Sequence, residues 1–347
     1  MVFSGHMKLR HRPMQTEDIP ECVDILAKHA VIGPRYGPMI GLLAEAWHRV
    51  HGSEANSATV IQAGEDDRAP ICLFGFAVMV RDDFICEMKK QSPFWVGPEL
   101  TRRVIKGESP LLTDKELREA NSQDGLNLLI WESCTRPGYE AHSELPRYMM
   151  AAFIEVHHGY RWKEIISPHP ESPDRLRHTL NTGGLLWEPI AGCYTDAASR
   201  DLDDIVSTPH IVGITRELEH SRRGGWSGSW VGALFDYQAP ILGFNRSEQR
   251  LLCCALSGAT DEQLAGTLGT SLPTIKKMWV SIYHRVEDRL PALIGHALRT
   301  DATASGRGRE KRRGLLAYLR EHAEELRPVS RRLLTQTSSN KLRSQPA

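Results

Sequence analysis

The segment 244–299 constrains this chain most. It reads "FNRSEQRLLCCALSGATDEQLAGTLGTSLPTIKKMWVSIYHRVEDRLPALIGHALR", a run of helical periodicity broken twice by glycine. Leu251, Leu252, Ala255 and Leu256 form one stripe, so a first helix is expected, capped by Asn245 or Ser247 and ended by Gly258. Thr260 with Gln263 three residues on gives a capping box for a short second helix. Leu264, Ala265 and Leu268 face inward there, and Gly269 stops it. Ser271 caps a third helix with Pro273 in its first turn. Ile275, Trp279, Ile282 and Val286 recur at i, i+4, i+7 and i+11 and form its buried face. Thr274, Lys276, Lys277, Val280, Ser281 and His284 fall elsewhere on the cylinder. Helices this short are marginal alone, so they must pack on one another. Ala265 is small where two helices have to cross closely.

That pattern resembles the helix-turn-helix domain of the LuxR/NarL class of bacterial transcription regulators, without a gap from Phe244 to Val286. Ser247-Glu248 stands where that family shows Arg-Glu, and Gly258 matches the glycine after its first helix. "EQLAGTLGTSLPTIK" matches the family's run through its two central helices, and Ile282-Tyr283 its later Ile-Tyr. "PALIGHAL" is similar to its fourth helix, often a dimer contact. Met278 replaces a usual histidine and Trp279 a usual polar residue, which Trp279's spacing turns inward. The resemblance implies that the helix 272–286 enters the major groove of double-stranded DNA. Lys276 is the best-matched contact, with Lys277, Thr274, Val280 and His284 beside it and Ser271 and Ser281 on phosphates. Useful specificity from so small a module implies a homodimer on two half-sites. The competing reading of the two lysines is a solvated surface helix.

The length of 347 residues favours two domains. Formal net charge is zero, which excludes a uniformly basic polyelectrolyte and leaves a local patch as the route to nucleic acid. Seven cysteines without a CxxC or a Cys/His cluster point to reduced thiols in a cytoplasm rather than to a disulfide frame or a zinc site. No apolar run reaches signal-peptide or membrane-span length, so no membrane partner is expected. The run Arg307 to Arg313 either adds phosphate contacts or is a solvated linker.

Toward the N-terminus, strand-like and helix-like segments alternate as β-α-β-β-β-α-β-α-β, an α+β layered domain. This order, with "RPMQTEDIPECVDIL", is similar to the GNAT acetyltransferase fold over roughly the first 190 residues. The likeness implies a layered mixed sheet with helices, and a coenzyme A pyrophosphate loop after the central strand. In this sequence that place reads "RPGYEAHSELPRYM", where Gly138 stands alone and Glu140 and Glu144 bring negative charge. Glu132 occupies a position where some acetyltransferases keep a general base, but it reads as a solvated strand-end carboxylate. His157 and His158 are adjacent, point to different sides of a helix and make no metal site.

The expected organisation is therefore an α+β, GNAT-like sensory or dimerisation domain over 1–194 and a linker region over 195–241. An all-α four-helix LuxR-type domain over 242–300 and a basic, partly disordered tail over 301–347 follow. The expected function is sequence-specific transcriptional regulation, with a small-molecule effector as an optional partner and no catalytic residue, metal or cofactor. The alternative is a working N-acetyltransferase fused to a DNA-binding domain.

Overall fold

The computed structural model describes residues 8–64, 66, 69–90, 95–168, 173–181, 183–197, 200–222, 230–293 and 304–329. The chain separates into two compact units, one made of residues 1–157 with 161–236 and the other of 158–160 with 237–347.

The first unit is mixed α/β, built on an eight-stranded sheet in the order β1-β2-β3-β4-β5-β8-β6-β7. Its strands are β1 (Leu9–Pro13), β2 (Asn56–Ala63), β3 (Ile71–Val80), β4 (Leu126–Thr135), β5 (Trp162–Pro168), β6 (Leu185–Glu188), β7 (Cys193–Thr195) and β8 (Ile211–Thr215). Only the β4–β5 ladder is parallel among the pairs described. The helices between strands are α1 (Ile19–Lys28), α2 (Ile32–Tyr36), α3 (Ile40–Val50), α4 (Asp82–Lys90), α5 (Val96–Lys106) and α6 (Asp114–Ser122). They continue with α7 (Leu145–His157), α8 (Pro173–Asn181), α9 (Leu202–Ser207) and α10 (Arg216–Arg222).

β3, "ICLFGFAVMV", is apolar throughout because it lies in the interior of the sheet and is covered on both faces. On one face Phe76 stacks on Trp47 at 4.3 Å between ring centroids, and Trp131 meets Phe76 edge-on at 5.8 Å. Trp131 reaches that cluster through a bulge: Phe76 pairs with Glu132 and Ala77 with Ile130, which leaves Trp131 as the extra residue on β4.

One expectation is corrected here. Residues 195–241 are not a linker: "IVGIT" forms β8, which hydrogen-bonds between β5 and β6 and is buried. Its five residues, with a central glycine, carry too short a pattern to declare a strand, and only the pairing on both sides makes it one. The ends of the helices between β3 and β4 are set by local sequence. Asp82 and Asp83 begin α4 and Lys89 and Lys90 end it, matching the helix dipole, and Thr113 with Glu116 closes a capping box on α6. Residues 223–229 of the span 195–241 lie outside the described residues.

A buried ionic cluster ties α4 to the β5–β8–β6–β7 side. Glu164 accepts from Lys89 Nζ at 2.5 Å and from the Tyr194 hydroxyl at 2.5 Å. Lys89 also lies over the rings of Trp187 and Tyr194, at 4.5 and 4.8 Å. Burial, then the charge of Glu164, pushes the Tyr194 phenol well above its ordinary value, which keeps it a donor.

The second unit is all-helical: α11 (Arg246–Leu256), α12 (Asp261–Leu268), α13 (Leu272–Arg289) and α14 (Ala304–Glu321). The tail expected over 301–347 is thus corrected for 304–329. Leu315, Leu319, Leu326 and Val329 are buried in one core with Leu251, Leu252, Ile275, Ile282 and Val286. Glu325, 1% exposed, accepts from the backbone N–H groups of Ile241 and Leu242 and from the Tyr318 hydroxyl. Gln249 on α11 donates to the carbonyls of Glu325 and Arg327. A polar segment is ordered because it satisfies buried donors that would otherwise be orphaned. Residues 330–347, and 294–300 with most of "PALIGHAL", lie outside the described residues.

Glu164→Ala is expected to leave the half-buried Lys89 without its carboxylate and to cost about 3 kcal/mol, read from urea unfolding of the full chain. Glu325→Ala is expected to cost roughly 2–3 kcal/mol, because the buried Leu242 N–H and the part-buried Ile241 N–H lose their acceptor. A calorimetric scan that resolves the two units would place that loss in the helical one.

Candidate functional site

In the helical unit the starts of α11, α12 and α13 are each fixed by a side chain. Asn245 accepts from the Glu248 backbone N–H and Glu248 returns the bond, closing a capping box. Thr260 and Gln263 do the same on α12. Ser271 caps α13 by accepting from Thr274 N–H. Gly269, at φ +65°, turns the chain between α12 and α13, and the left-handed conformation there suits glycine.

On α13 the expected inward face is buried: Ile275, Trp279, Ile282 and Val286. Thr274, Lys276, Lys277 and His284 are exposed, and Val280 is 55% exposed although apolar. Lys276, Val280 and His284 succeed one another at i, i+4 and i+8 and so share one stripe. Two of the expected contact residues are engaged elsewhere. Ser281 is exposed and donates to Glu248 Oε1 at 2.9 Å, tying α13 to α11. Ser271 Oγ is shared between the cap and the Thr274 hydroxyl at 2.9 Å. Arg285 adds to the first of these junctions, its Nε lying 3.2 Å from Glu248 Oε2.

The Trp279 indole is held from two sides. Its indole N–H donates to Asp261 Oδ1 at 3.2 Å, and Arg312 of α14 lies over its ring at 4.5 Å while also pairing with Asp261 at 2.9 Å. Lys311 pairs with Glu287 at 2.8 Å. Two cations of the basic run are thereby spent on holding α14 against α12 and α13, whereas Arg313 remains exposed.

In the α/β unit the loop after β4 does not fit a coenzyme A pyrophosphate. The Gly138 N–H donates to the carboxylate of Glu140 at 2.6 Å, and Glu144 is exposed just before α7. A phosphate would meet carboxylates there instead of bare N–H groups. Glu132 is not a solvated strand-end carboxylate. It lies within β4, half-buried, and accepts from the Tyr36 hydroxyl at 2.7 Å. Burial, then Glu132's charge, pushes the Tyr36 phenol well above its usual value. Gly97 passes so close that a Cβ there would come within 2.6 Å of Glu132 Oε1.

On the opposite face of β3 a cavity of about 180 Å³ opens between the sheet and α7 and α8. It was not anticipated from sequence. The one available signal was Gly75, in the middle of a bulky apolar strand.

No family model matches the sequence, and no curated protein matches it. Among solved structures the chain is similar to one described as histone acetyltransferase HPA2 and related acetyltransferase from Corynebacterium glutamicum. That likeness is at 10% identity and a TM-score of 0.35, over 60% of this chain and 96% of that one.

Gly269→Ala is expected to cost about 1–2 kcal/mol, because a Cβ is disfavoured in the left-handed region. A thermal melt in which the helical unit is unmoved would contradict the strained turn.

Proposed function

We propose that this chain is a sequence-specific DNA-binding transcriptional regulator whose helical unit lays α13 in the major groove. One observation carries the reading. α13 buries four apolar residues on a short capped helix and a glycine turn, and turns Lys276, Lys277, Thr274 and His284 outward. A helix kept only for its packing needs no cationic stripe with an exposed valine inside it; lysines serve phosphates and guanine edges, and valine suits a thymine methyl. The N-terminal α/β unit would then sense an effector, mediate dimerisation, or both. The acetyltransferase alternative is disfavoured by the Gly138 loop, whose N–H is taken by Glu140.

Lys276→Ala combined with Lys277→Ala is expected to weaken binding to genomic DNA fragments. It should also reduce the slope of log affinity against log salt by about 2, one per lost phosphate contact. Filter binding across a salt series reads both, and an unchanged slope would overturn the assignment. Ser281→Ala is expected to lower stability by about 1 kcal/mol while leaving that slope in place, because its hydroxyl serves Glu248.

A further inference from the structure

Three residues in register form the floor of the cavity in the α/β unit. Thr59 pairs with Gly75 and Gly75 pairs with Ser133, across β2, β3 and β4. All three are only half-buried, although Val60, Phe74, Phe76 and Cys134 beside them are buried. A Cβ built on Gly75 would meet nothing within 4 Å. Glycine in a central strand sacrifices packing and backbone entropy, and an open space above it marks a place kept clear for something else. The gap continues sideways: the β4–β5 ladder ends at Leu129 with Ile166, whereas β4 runs on to Thr135.

Polar groups stand at both ends of this space. At the β4 end Arg175 of α8 donates to the Ser133 hydroxyl at 3.2 Å and to the Thr135 hydroxyl at 3.4 Å. At the α7 end the His157 Nδ1 faces the Phe153 carbonyl at 2.8 Å, so that nitrogen carries the proton. Nε2 lies 2.6 Å from the Ser57 hydroxyl, so a paired polar contact closes this end. Between them lie Ile61, Ile130, Met149, Phe153, Ile165 and Val212. Among the described residues, no carboxylate lines the cavity.

We propose that this cavity binds a small carboxylic acid with an apolar body. Its carboxylate meets Arg175, and its body lies along the Thr59–Gly75–Ser133 floor toward the Ser57–His157 pair. Cavities near 150 Å³ take benzene, so 180 Å³ suits a body of that size or slightly larger. A guanidinium reads a carboxylate geometrically as well as by charge, and methionine adapts to the body. As an effector site, the cavity rests on the reading of this unit as the sensing part of a regulator.

The test is isothermal titration of the full chain, without DNA, with hexanoate and with hexan-1-ol. Hexanoate is expected to bind at least about tenfold tighter than the alcohol. Arg175→Gln should erase that preference, and Gly75→Val should remove binding of both by filling the floor. Equal affinities in the parent chain, absence of hexanoate binding, or a preference retained in Arg175→Gln would overturn the proposal. So would hexanoate binding retained by a folded Gly75→Val chain; should that variant fail to fold, Arg175→Gln decides. Because no DNA is present, failure here leaves the salt-slope experiment standing, and failure there leaves this one standing.

Discussion

The α/β unit depends on the unequal filling of the two faces of β3. One face carries Phe74, Phe76 and Val78 against Trp47 and Trp131, and the bulge at Trp131 exists to seat that indole. The other face carries Leu73, Gly75 and Ala77 and leaves a hollow beneath α7 and α8. Aromatic packing on the first side supplies large apolar burial, which lets the second side give some up. The same division places Glu132 with Tyr36 on the filled side and Ser133 with Arg175 on the hollow one, one residue apart along β4.

The helical unit rests on buried carboxylates used as junctions. Glu248 joins the cap of α11 to Ser281 and Arg285 of α13. Glu325 gathers the chain entering the unit and Tyr318 of α14. A buried carboxylate is costly alone, so each fixes the relative placement of the segments that donate to it.

How much of this was legible follows from the range of each interaction. The three capped helices between Asn245 and Arg289 were readable because caps, glycine stops and apolar stripes act within a few residues. The inward turn of Trp279 was readable from spacing, but its partner Arg312 lies far along the chain and was not. β8 was missed because "IVGIT" becomes a strand only through β5 and β6. Segment 304–329 was taken for a tail because its charge is local, whereas the buried donors it satisfies are distant. Of the surface residues, Lys276, Lys277, Thr274 and His284 lie where the pattern put them. Ser281 is exposed with them, but its bond to Glu248 was not readable, because a serine's spacing says nothing about whether a glutamate waits beside it. The cavity left only Gly75 as a trace.

The docking of α14 has a consequence for synthesis. Trp279, Asp261 and the N–H groups of Ile241 and Leu242 find their partners at Arg312 and Glu325. A ribosome releases the chain from the N-terminal side, so a nascent polypeptide that has already exposed α13 must wait for the 33 residues from Trp279 to Arg312 before its indole is covered. During that interval the apolar edge of the unfinished bundle is open to chaperones, and the pace of translation through the last stretch sets how long.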